Sequence, residues 1–141
     1  MRFFETQNVM ALISDKSIDF TPADFDSPLF PDQVDYLKKE TGIHIHHVFW
    51  RKQVHGDNIL VARDSSQSSY GAPDADAVIT CQKNLPIAIR TADCVPVFLY
   101  DPTKPAIGLA HAGWKGTYLE IAYKTVERMK EAFGCKAEDI Q

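Results

Sequence analysis

Val95-Pro96-Val97-Phe98-Leu99-Tyr100, then Asp101-Pro102-Thr103-Lys104, then Ala106-Ile107-Gly108-Leu109-Ala110-His111-Ala112: two apolar runs around a turn segment decide the fold class of this sequence. Each run is rich in β-branched, Leu or aromatic side chains, which suit a pleated surface. Asp101 and Pro102 have the chemistry of the first two positions of a type I turn. An antiparallel hairpin is expected. With the turn centred between Pro102 and Thr103, Asp101 faces Lys104 and, further out, Cys94 faces His111. Those two Cβ atoms then lie about 4.5 to 5.5 Å apart. An odd-length loop or a bulge would send one partner to the other face.

Working outward, further short extended segments are expected over 9–14, 47–54, 59–62, 77–81 and 87–90, each bounded by Gly, Pro, Asn or Asp. Several are apolar at both alternating positions, so the sheet is expected to be covered on both faces. A short helix over 32–40 carries Val34 and Leu37 on one side and stops at Gly42. The strongest periodicity comes last. Leu119, Ala122, Val126, Met129 and Phe133 recur at spacings of three and four with charges between them. Thr117 and Glu120 read as a capping box at its start and Gly134 as its end. The segment over 20–30, with Pro22 and Pro28, and the Ser-rich stretch over 64–69 read as irregular structure and loop. The expected class is α/β: a mixed, largely antiparallel β-sheet core with flanking helices. At 141 residues one domain over 1–141 is expected, and 137–141 reads as the approach to a further strand, so a C-terminal part is expected to be lacking.

A hydrophobic share of 45% with 24% charged residues excludes the disordered and fibrous classes. Net charge is −4 and no basic run is present, which argues against a nucleic-acid partner. No apolar stretch reaches the length of a membrane span, and an acid, Glu5, interrupts the start before any signal-like run. Three cysteines, Cys81, Cys94 and Cys135, form no Cys-x-x-Cys pair and no disulfide framework, so a reducing cytoplasm is expected.

Chemistry concentrates on a few residues. His44, His46 and His47 alternate with Ile43 and Ile45 and read as ordinary side chains. His55 sits in Gln53-Val54-His55-Gly56, at a glycine turn where a side chain can project into a cleft. Cys94 and His111 interrupt otherwise apolar strands at facing positions. A thiolate and an imidazole so placed can share a metal, zinc taking sulfur at about 2.3 Å and nitrogen at about 2.0 to 2.1 Å. Gly113 and Gly116 bracket Trp114-Lys115 just before the last helix, where free amides and a cation suit an anion.

Gln53-Val54-His55-Gly56, Asp74-Ala75-Asp76-Ala77, Thr91-Ala92-Asp93-Cys94-Val95-Pro96-Val97 and His111-Ala112-Gly113-Trp114-Lys115-Gly116 resemble, in order and spacing, the laccase-domain proteins. That family was once described as multicopper polyphenol oxidases and is now described as purine nucleoside phosphorylases. The resemblance implies one zinc held by His55, Cys94 and His111, with copper as the alternative metal. It also implies phosphorolysis of adenosine, inosine, guanosine and methylthioadenosine, a transferase reaction, and adenosine deamination, a hydrolase reaction. The family's early Gly-Gly-Val-Ser and Asn-Arg motifs have no counterpart here, and Asp35-Tyr36-Leu37-Lys38 stands where the second would fall. For those reactions Asp76 or Asp93 would shuttle protons, and Arg90, Lys115 and the amides opening the last helix would hold phosphate. Other readings stay open: a metal-free hydrolase or deamidase with Cys94 as nucleophile and His111 as base, a copper polyphenol oxidase, and a non-catalytic domain stapled by zinc.

Overall fold

The computed structural model of the chain describes residues 2–5, 8–15, 17–21, 27–64 and 73–141. The stretches 22–26 and 65–69, read from sequence as irregular and loop, lie outside the described residues. Two compact units divide the chain, Met1–Val48 and Phe49–Gln141.

In the first unit, β1 (Arg2–Glu5) pairs antiparallel with β2 (Met10–Leu12). Helix α1 (Pro31–Thr41) begins with proline at its first turn, where no amide partner is needed. The Gln33 side-chain oxygen accepts from the Phe30 amide at 2.9 Å. Gly42 ends the helix in the left-handed region, φ 77°, and its N–H donates to the Lys38 carbonyl, as the sequence suggested. Val34 and Leu37 are buried along with Gln33.

The second unit is built on a four-stranded sheet in the order β3-β4-β6-β5: β3 (Ile59–Val61), β4 (Ala77–Thr80), β6 (Ala106–Ala112) and β5 (Val95–Asp101). Only β3 and β4 run parallel; the other pairs are antiparallel. The fold class is therefore mixed α/β with a mostly antiparallel sheet. Apolar residues lie against both faces. One carries helix α3 (Ile121–Phe133), whose Met129 joins Ile79, Ala106 and Cys135. Gly108 lets that helix ride close, because a Cβ there would meet Met129 Sδ at 3.1 Å and Ile79 Cγ2 at 3.2 Å. Phe49, Ala62, Val78 and Leu85 form a separate cluster with Leu60 and Ile87.

Several expectations require correction. The β5–β6 hairpin forms, but its register pairs Pro96 with His111 and Asp101 with Ala106, so Cys94 does not face His111. The reason is Asp101. It belongs to the strand, and its Oδ1 accepts from Thr103 N and Thr103 Oγ1, both at 2.7 Å, and from Lys104 N at 3.1 Å. That carboxylate stabilises a loop over 102–105 instead of a two-residue turn. The segments 47–54 and 87–90 are not strands; a single parallel bridge, Phe49 to Ile87, joins them. Strand β4 stops at Thr80, whose hydroxyl donates to the Ala62 carbonyl and accepts from the Gln82 amide, leaving Cys81 outside.

The last helix is interrupted. Helix α2 (Trp114–Tyr118) ends before Glu120, which adopts φ 63° and opens α3, and no side chain caps either start. The Thr117 and Glu120 capping box is therefore absent: Thr117 lies inside α2, and the left-handed Glu120 instead turns the chain between helices. The most buried stripe of α3 is Ile121, Thr125 and Met129. Thr125 escapes a periodicity count based on apolar residues because its hydroxyl is satisfied locally, donating to the Ile121 carbonyl at 2.7 Å. Gly134 closes α3 at φ 69° as expected. Beyond the 3₁₀ turn Ala137–Asp139, Gln141 and Tyr100 exchange backbone hydrogen bonds at 2.9 and 3.0 Å.

Candidate metal centre

At one end of the sheet β4 begins, β6 ends and β5 begins. The β4–β6 register pairs Ala77 with Ala110, so the next pair outward is Asp76 with His111. The His111 amide donates to the Asp76 carbonyl at 2.7 Å, and the His111 ring Nδ1 lies 2.9 Å from Asp76 Oδ1. Asp76 is fully buried and His111 is 3% exposed.

The Asp76 carboxylate also gathers the loop that carries His55. Val54 N and Gly56 N donate to Oδ2 at 3.0 and 2.8 Å, and His55 N donates to Oδ1 at 2.9 Å. Three successive amides can point at one anion because His55 takes the left-handed conformation, φ 58°. Burial alone would raise the Asp76 pKa, but the hydrogen bonds from His111 and the three amides outweigh it and hold the carboxyl below its ordinary value. An ionised Asp76 keeps the proton on His111 Nδ1 and leaves Nε2 as the lone-pair nitrogen. Next to this loop, Asp57 forms an ion pair with Lys124 on α3.

Cys94 arrives from the start of β5. The Thr91 hydroxyl donates to the Cys94 carbonyl and shapes the turn before it. The sulfur, His55 and His111 offer ligand atoms that all lie within 4.8 Å of one another. The two imidazoles meet edge to face, centroids 4.8 Å apart. Space is made by Gly113, where a Cβ would stand 3.0 Å from Cys94 Sγ and 3.0 Å from His55 Cδ2. Burial, then the charge and hydrogen bond of Asp93, then the charge of Asp76 push the Cys94 thiol above its ordinary range. A cation between the three donors would reverse that balance and favour the thiolate.

The donor set fits zinc. Tetrahedral zinc would place such nitrogen and sulfur atoms about 3.3 to 3.6 Å apart, and these ligand atoms already lie within 4.8 Å of one another. The carboxylate on the distal nitrogen of His111 is the partner a metal-bound histidine takes.

Asp93 is exposed beside Cys94. Arg90 is exposed, with its backbone held by Gln53, and Lys115 is exposed on α2. Trp114 and Tyr118, one helical turn apart, are 82% and 81% exposed. His44 and His46 belong to the first unit, exposed, with stacked rings 6.1 Å apart. Sequence reasoning missed the bond from Asp76 to His111. Its signal was the facing of Asp74-Ala75-Asp76 and His111 across a second strand pair.

Residues 31–141 match the family described as multi-copper polyphenol oxidoreductase laccase, and the chain belongs to that family. It is 38% identical over 104 residues to purine nucleoside phosphorylase LACC1 of Homo sapiens, covering 74% of this chain and 23% of that protein. It is 40% identical over 97 residues to a purine nucleoside phosphorylase of Clostridium acetobutylicum, covering 69% of this chain and 39% of that one. The crystal structure of the hypothetical protein YfiH from Bacillus licheniformis superposes with a TM-score of 0.60 at 38% identity, covering 65% of this chain and 37% of that one. The chain thus spans about a quarter to two fifths of the length of these relatives.

Proposed function

We propose that the chain carries the metal-centred part of a zinc-dependent purine nucleoside phosphorylase. It would act on adenosine, inosine, guanosine and methylthioadenosine, with adenosine deamination as a second activity and a cytoplasmic setting. The observation that carries this reading is the convergence of His55, Cys94 and His111 on one point, with Asp76 fixing two of them. The relatives' names supply the substrate class.

His55, Cys94 and His111 would hold the metal. Zinc held there would act as a Lewis acid and would activate water near neutral pH. Asp76, with four donors on its two oxygens, serves to orient His111 and the His55 loop. Asp93, exposed and next to Cys94, is the carboxylate available to move a proton. In phosphorolysis a phosphate oxygen bonds to the ribose anomeric carbon as the bond to the purine nitrogen breaks, and the base leaves with a proton. Arg90 and Lys115 would bind that phosphate. In deamination water adds and ammonia leaves, which again needs a proton carrier. The exposed faces of Trp114 and Tyr118 suit a purine ring.

Two alternatives lose support. A metal-free Cys94 nucleophile needs a thiol depressed toward neutrality, whereas its surroundings push it up. Polyphenol oxidation by several coppers needs several centres, and among the described residues one cluster of three such ligands gathers.

Elemental analysis of the purified protein, paired with detection of free base and ammonia after incubation with adenosine and phosphate, tests the proposal. Zinc near one equivalent is expected, and Cys94→Ala or His111→Ala should abolish both metal and turnover. Undiminished turnover by a metal-free variant would refute it.

A further inference from the structure

Asp76 ties His55 to His111 but makes no hydrogen bond to the segment that brings Cys94. That segment has its own tether. Gln53 Oε1 accepts from the Arg90 amide at 2.7 Å and Gln53 Nε2 donates to the Arg90 carbonyl at 2.7 Å, across 37 positions of sequence. Gln53 stands two residues before His55, and Arg90 four before Cys94.

The pairing occurs where backbone pairing gives out. Phe49 N donates to the Pro86 carbonyl at 2.8 Å and Ala88 N donates to the Phe49 carbonyl at 2.9 Å, a parallel bridge. The next rung of such a ladder would bring the Arg90 amide to the carbonyl of residue 51. Instead the side-chain amide of Gln53, which carries the same donor and acceptor as a peptide group, takes both polar groups of Arg90. The metal loop and the Cys94 segment are therefore joined by one side chain, just where two ligands from separate loops must meet.

We infer that Gln53 is a positioning residue that sets the gap between Cys94 and the two histidines and so tunes metal affinity. Its side-chain oxygen and nitrogen are both taken by the Arg90 backbone. The inference rests on the metal-centre reading above. Supporting groups of this kind change affinity by about 10- to 100-fold when removed.

Cobalt(II) is the probe, because its sulfur-to-metal charge-transfer band reports the Cys94 bond. The chain is titrated as wild type, Gln53→Ala, Gln53→Glu and Lys52→Ala. Gln53→Ala should bind about 10- to 100-fold more weakly with a weakened band. Gln53→Glu, which keeps the acceptor for the Arg90 amide and loses the donor, should fall between. Lys52→Ala, an exposed neighbour, should match wild type. Melting of the metal-free chain separates the two explanations: a purely structural role would lower the melting temperature of Gln53→Ala and leave the band of its folded fraction unchanged. Affinity within twofold of wild type and an unaltered band in Gln53→Ala would overturn the inference while sparing the metal centre. Absence of the band in wild type would remove both.

Discussion

Replacing Gly113 with Ala adds a single methyl group to the wall of the candidate metal centre. The backbone there, φ −72° and ψ 174°, is open to any residue, so the consequence is steric. The new Cβ would lie 3.0 Å from both Cys94 Sγ and His55 Cδ2. Carbon contacts are most favourable near 3.5 to 4.0 Å, so each side chain must retreat by about 0.5 Å or more. Without metal this is affordable, since His55 is exposed and Cys94 only half-buried, and overpacking should cost no more than about 1 kcal/mol, the low end of the usual range. With metal it is not, because coordination distances tolerate only about 0.2 Å. Metal affinity should fall by about 10- to 100-fold, or roughly 1.4 to 2.7 kcal/mol. Competition of zinc against a chromophoric chelator measures it, with thermal melting of the metal-free variant as the control. Gly56→Ala sharpens the comparison: its Cβ would meet Asp76 Oδ2 and Val54 Cγ2 at an ordinary 3.6 Å, so affinity should stay within about threefold. Wild-type affinity in Gly113→Ala would show that the three side chains do not close around an ion beside this glycine.

Asp76→Asn replaces one acceptor oxygen with an amide that opposes either the Val54 and Gly56 amides or the His55 amide and His111, so about 3 kcal/mol of stability should be lost, measured by urea unfolding of the metal-free chain. Unchanged stability would contradict the role given to that carboxylate. Thiol alkylation should proceed at exposed Cys81 first and at half-buried Cys94 more slowly, with zinc protecting Cys94. Cys135 should react only on unfolding, because burial, followed by the hydrogen bond and charge of Asp101, pushes its thiol up to about 12. From an ordinary 9.0 in the unfolded chain, the stability held by that neutral thiol is full below pH 9 and is lost as pH rises toward 12. Melting temperatures over that range should therefore fall more steeply in wild type than in Cys135→Ala.

The strands β3 to β6 and the helices α1 and α3 were legible because each buries a face whose hydrophobic period is visible along the chain. What periodicity misses is structure held by single polar side chains. Segment 47–54 has strand-like composition, yet Val54, His55 and Gly56 direct their amides at one carboxylate and not at a neighbouring strand. The break at Glu120 was equally hidden, since a lone left-handed glutamate between two helical stretches leaves no gap in an amphipathic pattern. Thr125 shows the same limit from inside the core.

The centre shows why a wrong register still led to the right face. Side chains along a strand alternate with period two, and the observed pairing differs from the expected one by two positions: the partner of His111 is Pro96, and continuing the alternation to Cys94, just before β5, keeps it on the same side. Face follows from parity, and parity survives an even shift. Distance does not. The Cβ of a diagonal neighbour two positions away lies about 7 to 8 Å off, against about 5 Å for a direct partner, so the side chains must lean toward one another to share an ion. The ligand atoms nevertheless lie within 4.8 Å of one another, beside the turn held by Thr91, the loop gathered by Asp76 and the tether at Gln53. Those contacts join residues from 3 to 37 positions apart and follow no period. The sheet therefore decides which side chains face one another, and a few loop hydrogen bonds decide whether they can hold a metal.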